Sequence, residues 1–222
     1  MKEAYFFDMD GVLFDSMPHH AIAWEKVMEQ HNLPFSAYDC YVNEGRTGES
    51  VIREAMWKAR NRDATPEEIQ TIYAEKSAYF TMLEQQAGGT PAVPGVADVL
   101  QYIHTCGNDI WVVTGSGMRS LLDNLNKVLP AVFAKERMIT AFDVVKGKPD
   151  PEPYLKAWER SGLSKEQCVV IENGKLSTCG RCIEVSGLCD QCGYFFVAEY
   201  TLLFRGNPKI IFEMLRTYLK YI

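Results

Sequence analysis

The chain has 222 residues, 47% of them hydrophobic and 23% charged, with a net charge of −6. That balance belongs to a globular protein in solution. The absence of any run of about 18 apolar residues excludes a membrane-spanning helix, and an acidic chain without a basic stripe is not built to bind nucleic acid. An anionic ligand would have to be met by local cations or a metal.

The first predicted element is a buried strand, Ala4-Tyr5-Phe6-Phe7, that runs into Asp8-Met9-Asp10-Gly11. Side chains at i and i+2 of a strand share a face, so Asp8 and Asp10 are delivered together at its carboxyl end. Two adjacent acids suit nucleophilic or acid/base work, and their mutual repulsion makes a cation the natural partner. A calcium loop counted from Asp8 needs Gly at its sixth position and Glu at its twelfth. Those positions hold Leu13 and His19, so that reading fails. The early acid also leaves no room for a secretory apolar stretch. A reducing cytosol is therefore expected, and disulfides are not assumed.

Residues 17–31 read as a helix capped by Ser16, with Ile22, Trp24, Val27 and Met28 on its apolar face. Residues 49–61 read as a second. Thr65-Pro66-Glu67-Glu68 has capping-box spacing with Pro at the first helical position, and the helix it starts should run to about Gln86 before Gly88-Gly89. A helix of about ten residues follows Pro94-Gly95 and stops at Gly107. Ile110-Trp111-Val112-Val113 is a buried strand ending in Thr114-Gly115-Ser116-Gly117, with a helix expected from about Arg119 to Leu129. Met138-Ile139-Thr140 is a further strand, Pro151-Glu152-Pro153 opens a helix ended by Gly162, and Cys168-Val169-Val170-Ile171 is a strand ending at Glu172-Asn173.

Strands alternating with helices predict an α/β fold with a parallel sheet. Ligands of such sheets sit at the carboxyl ends of the strands. Three strands end there in Asp8/Asp10, Thr114 and Glu172/Asn173, so polar groups distant in sequence converge on one edge. The helical block 16–89 would be a cap over that edge, with 1–15 and 90–222 forming the core. Thr114 and Ser116 lie in a turn before a helix, which suits a phosphate. Lys148, in Lys146-Gly147-Lys148-Pro149-Asp150, supplies a cation, and Glu172-Asn173 supply hard oxygen ligands. Together they form the inventory for phosphoryl transfer.

Asp8-x-Asp10-Gly11-Val12-Leu13-x-Asp15-Ser16, Thr114, Lys148 and Glu172-Asn173 resemble the four motifs of the haloacid dehalogenase superfamily, with the closest fit to its β-phosphoglucomutase-like phosphatase branch. The resemblance spans about residues 5–173 and implies a Rossmann-like core with an inserted helical cap. It implies Asp8 as the nucleophile and Asp10 as the acid/base. It implies Thr114 and Lys148 as holders of the phosphoryl oxygens, and Mg²⁺ held by Asp8, the Asp10 carbonyl and Asn173 with Glu172 close by. Glu44-Gly45-Arg46-Thr47-Gly48-Glu49-Ser50 resembles the loop with which the cap selects substrate. Glu44, Arg46, Ser116 and His20 are the candidate substrate contacts, Arg46 reaching a distal phosphate. Gly48 stands where the sugar mutases carry arginine, which weakens a mutase reading.

The expected activity is a Mg²⁺-dependent phosphohydrolase acting through an aspartyl-phosphate on a small phosphorylated metabolite, either a sugar phosphate or pyrophosphate. The protein is expected to act as a cytoplasmic monomer without nucleic-acid or membrane partners. The alternatives are a β-phosphoglucomutase-type hexose-phosphate mutase and a catalytically impaired relative. The latter arises from the tail, because the family pattern breaks at Gly174. Cys179-x-x-Cys182 and Cys189-x-x-Cys192 read as a zinc knuckle with a short spacer, as plain divergence, or as a change of reading frame near residue 174. After Pro208, Ile210, Ile211, Met214, Leu215, Tyr218 and Leu219 share a helical face.

Overall fold

A computed structural model of the chain describes residues 2–117, 125, 135–172, 197–198 and 201–202. Strand β1 is Ala4–Phe7. Four helices follow: α1 Met17–Gln30, α2 Ala37–Val42, α3 Gly48–Arg60 and α4 Pro66–Gln86. Then come α5 Val96–Thr105, β2 Asp109–Val113, β3 Met138–Ile139, α6 Glu152–Ser161 and β4 Cys168–Ile171. Two short strands, β5 Val197–Ala198 and β6 Thr201–Leu202, pair antiparallel apart from the main sheet. The cysteine pairs of the tail, Asn173 and the apolar face after Pro208 lie outside the described residues. So does the helix expected at 119–129 apart from Leu125, which is helical and buried.

The sheet is parallel in the order β3-β2-β1-β4, giving the α/β, Rossmann-like fold. Phe7 is level with Val112 on one side and Ile171 on the other, so the central strands end at one height. Strand alternation explains why these runs are apolar on both faces. Tyr5 and Phe7 point with Ile110, Val112, Val169 and Ile171 toward Val96, Val99, Leu100 and Ile103 of α5. Ala4 and Phe6 point the other way with Trp111, Val113 and Val170, toward Tyr154 and Ala157 of α6. Phe6 meets Trp111 edge-on, ring centroids 6.1 Å apart, and each such buried aromatic removes enough surface from water to stabilise by about 1.5–3 kcal/mol.

Helices α1 to α4 surround a separate apolar cluster that includes Trp24, Met28, Val51, Ile52, Met56 and Ile72. The start of α4 forms as its sequence demands. Thr65 Oγ1 accepts from the Glu68 amide at 3.2 Å, and the Glu68 carboxylate accepts from the Thr65 amide at 2.9 Å, with Pro66 at the first helical position. Two details of α1 differ from expectation. Ile22 is exposed, and the buried face runs through Met17, His20, Ala21, Ala23, Trp24, Val27 and Met28. Ser16 stands at the N-cap without capping, because its hydroxyl bonds Asp10 instead. Helix α2 has no counterpart among the predicted elements. Its capping box, Ser36 with Asp39, was legible, but six residues are too few for a helical period to show.

Candidate active site

The strand ends place the site. The Asp8 amide donates to the Ile171 carbonyl at 3.0 Å, and the Thr114 amide donates to the Ile139 carbonyl at 2.9 Å, so pairing fixes where each chain leaves the sheet. Asp8, Asp10, Thr114, Ser116, Lys148 and Glu172 are all buried at this edge. Thr114 Oγ1 accepts from the Ser116 amide at 2.9 Å, which tightens the turn between them.

The two leading acids occupy different surroundings. Lys148 Nζ donates to Asp8 Oδ1 at 2.8 Å and also to Glu172 Oε1, which the Tyr154 hydroxyl bonds as well. Asp10 Oδ1 instead accepts from Ser16 Oγ at 2.6 Å and from His20 Nε2 at 3.1 Å. Burial and the Glu172 carboxylate push the Asp8 carboxyl well above its ordinary value despite Lys148. Burial drives Asp10 upward too, but His20 and Ser16 more than reverse it and leave Asp10 below its ordinary value. Burial pulls the Lys148 value down, yet Asp8 and Glu172 outweigh it and raise that value above the ordinary lysine range.

One ammonium shared by two buried carboxylates leaves negative charge in excess. Four buried side-chain polar atoms among the described residues lack a hydrogen-bond partner, and two of them are Asp8 Oδ2 and Glu172 Oε2. Orphaned carboxylate oxygens of this kind suit a hard divalent cation, which takes oxygen ligands and offsets the excess charge. No group of three His, Cys, Asp or Glu side chains able to hold a metal occurs among the described residues. A cation here would therefore complete its shell with backbone, amide or water oxygens; Asn173, an expected ligand, lies outside the described residues.

Behind Asp10 runs a chain that sequence reasoning missed. Lys76 Nζ lies 2.6 Å from His20 Nδ1, and both residues are buried. Phe80 stacks on His20 with centroids 4.4 Å apart, and the Lys76 ammonium also faces the Trp24 ring. Burial pulls the Lys76 value down to about 8. A signal existed: the buried residues of α4 are Ile72, Lys76, Phe80 and Glu84, a stripe at every fourth position in which a lysine is out of character. Tyr154 was missed likewise, since nothing in a single aromatic of α6 tells which face it takes.

His20, Glu44, Arg46 and Ser116 border a cavity of about 50 Å³ that also touches Asp10. Arg46 does not extend into it unaccompanied. Its guanidinium bonds Glu54, Asn43 Oδ1 at 2.5 Å and the Ser50 carbonyl at 3.2 Å. The helical layer closes tightly on the sheet edge. A Cβ on Gly115 would overlap the Gly45 carbonyl, one on Gly147 would overlap the Thr47 methyl, and Gly45 itself lies over the Lys148 chain.

The pattern of the haloacid dehalogenase-like hydrolases matches residues 2–175. The chain is 30% identical to the phosphorylated carbohydrates phosphatase of Thermotoga maritima, over 78% of this chain and 77% of that one. It is 28% identical to hexitol phosphatase A of Escherichia coli, over 86% and 80%. Among solved structures, one from Bacteroides vulgatus bearing a provisional beta-phosphoglucomutase name superposes with a TM-score of 0.79 at 35% identity, over 99% of this chain and 89% of that one.

Proposed function

Because the chain belongs to the haloacid dehalogenase-like hydrolase family, in its β-phosphoglucomutase-like branch of phosphatases and phosphotransferases, we propose that it is a Mg²⁺-dependent phosphohydrolase of small phosphorylated metabolites, sugar phosphates first among them. The observation that carries this reading is the division of labour between Asp8 and Asp10. One is clamped by Lys148 with its second oxygen unpartnered, and the other is held apart by Ser16 and His20.

In this reading the Asp8 carboxylate attacks phosphorus, forming an aspartyl-phosphate as the ester oxygen leaves. Lys148, with the Thr114 hydroxyl and the Gly115 amide, faces the developing charge on the phosphoryl oxygens. Asp10, ionised before substrate enters, takes up the proton of the incoming phosphate monoester monoanion, delivers it to the leaving oxygen and later takes one from the water that cleaves the acyl-phosphate. His20, fixed by Lys76, and Ser16 orient Asp10 for both steps. Mg²⁺, held by Asp8, the Asp10 carbonyl, Asn173 and Glu172, would neutralise phosphoryl charge and orient the phosphoryl group. Residues 16–89 act as a cap on a core made of 1–15 and 90–222; helices α1 to α4 carry an apolar cluster of their own, while Ala23 and Phe80 join the cluster on the sheet. The names of the two phosphatase relatives favour carbohydrate or hexitol phosphates over pyrophosphate.

The test is phosphate release with Mg²⁺ from a hexitol phosphate, a hexose phosphate and pyrophosphate. The reading expects release from the carbon esters that Asp8→Asn abolishes. Release unaffected by Asp8→Asn would refute it.

A further inference from the structure

The cavity beside Asp10 carries a wall that the chemistry of phosphoryl transfer does not require. Trp24, Phe35 and Tyr73 face one another there, Trp24 lying 6.0 Å from Phe35 and 6.4 Å from Tyr73 between ring centroids. Tyr73 is anchored at both ends. Its hydroxyl accepts from the Gly117 amide of the core turn at 3.2 Å, and its ring fills the volume a side chain at Gly48 would need. The first residue of α3 therefore presents bare backbone to the cavity.

Two cationic side chains line this space, Arg46 and Lys76, and neither is uncommitted. Arg46 pairs with Glu54, which Lys58 also contacts at 2.6 Å, and spends further N–H groups on Asn43 and Ser50. Lys76 is spent on His20 between the Trp24 and Phe80 rings. Asp10 and Glu44 add negative charge to the same lining. An anionic group on the far side of the substrate would lose its water and meet carboxylates and ring faces in exchange. A polyhydroxy carbon chain fits better, its C–H face against the rings and its hydroxyls toward the polar rim.

We propose that the site is selective for phosphate monoesters whose leaving group is an uncharged polyol, and that Tyr73 with the Arg46–Glu54 pair enforces this by denying any grip for a second phosphate. The proposal rests on the phosphohydrolase reading for the position of the transferred group, and it excludes pyrophosphate and sugar bisphosphates as good ligands.

The test separates binding from turnover. Glucitol 6-phosphate and glucitol 1,6-bisphosphate are titrated calorimetrically with Mg²⁺ into the full chain carrying Asp8→Asn, which keeps an acceptor for Lys148. Phosphate release by the unsubstituted chain is measured alongside. The monophosphate is expected to bind at least about tenfold more tightly than the bisphosphate, and Glu54→Gln, which releases Arg46, to narrow that ratio by about tenfold through the bisphosphate. Equal or tighter binding of the bisphosphate would overturn the proposal. So would a ratio that Glu54→Gln leaves unchanged, or binding of neither ester. Selective binding without phosphate release from the unsubstituted chain would sustain the charge selectivity and sink the hydrolase reading instead.

Discussion

Lys76 stands 2.6 Å from Nδ1 of His20, and this contact fixes the state of the imidazole. An ammonium donates and cannot accept, so Nδ1 must be the bare nitrogen. The proton of neutral His20 then sits on Nε2, which faces Asp10 Oδ1 at 3.1 Å. The bonds therefore run in one direction, from α4 through α1 to the loop after β1. Burial and the Lys76 charge push the His20 value down against the pull of the Asp10 carboxylate.

Lys76 should mark the pH dependence of stability. Its value falls from 10.5 to about 8 on burial. For a base depressed in the folded state, the unfolded chain binds more protons between those two values, so stability is gained as pH rises through that window. Denaturant midpoints of the wild type relative to Lys76→Met should therefore rise from pH 8 to pH 10. A difference that is flat or falling across this range would contradict the assignment.

Lys148 is the sole ammonium bonded to Asp8 and Glu172 among the described residues. Replacing it with alanine leaves buried carboxylates without their counter-charge. We expect Lys148→Ala to cost about 3–5 kcal/mol by chemical denaturation without Mg²⁺. The conservative change Tyr154→Phe, which removes one donor to Glu172, should cost only about 0.5–1.5 kcal/mol.

The glycine seam predicts a kinetic effect separable from folding. Gly115→Val would push the Gly45 carbonyl away and hold the cap loop off the core turn. Turnover should fall by about 10²-fold, the scale of a 1 Å displacement of positioned groups, at temperatures well below a thermal midpoint that the overlap also lowers. Unchanged turnover would show that the close approach of these backbones is not needed.

The three described cysteines should differ in reactivity. Burial pushes the Cys40 thiol up to about 12 and the Cys168 thiol up to about 11, whereas Cys106 is exposed. Alkylation of the folded protein at pH 8, followed by peptide mapping, should modify Cys106 well before the other two. Early labelling of Cys40 would mean that the cap cluster opens readily.

The sheet and its site edge were legible because short apolar runs ended in acids, a hydroxyl or an acid with an amide, and the parallel register turns those endings into one place. The start of α4 was legible because Thr65, Pro66 and Glu68 each act locally. What sequence could not show was which partner a side chain chooses. Ser16 has the position of a cap but bonds Asp10, and Arg46 has the chemistry of a phosphate grip but pairs with Glu54. Lys76 and Tyr73 lie on helix faces whose neighbours come from elements 50 or more residues away in the case of His20 and from the core turn in the case of Gly117. Such contacts are set by tertiary packing, on which a local pattern is silent.

The central claim is that Asp8 is the group that carries phosphorus. The most direct measurement is an acid quench during turnover of a hexitol phosphate with Mg²⁺, followed by mass mapping of the peptide that contains Asp8. The account predicts a phosphoryl adduct on Asp8 that is lost with Asp8→Asn together with phosphate release. Sustained phosphate release with no adduct on that peptide, persisting in Asp8→Asn, would contradict it.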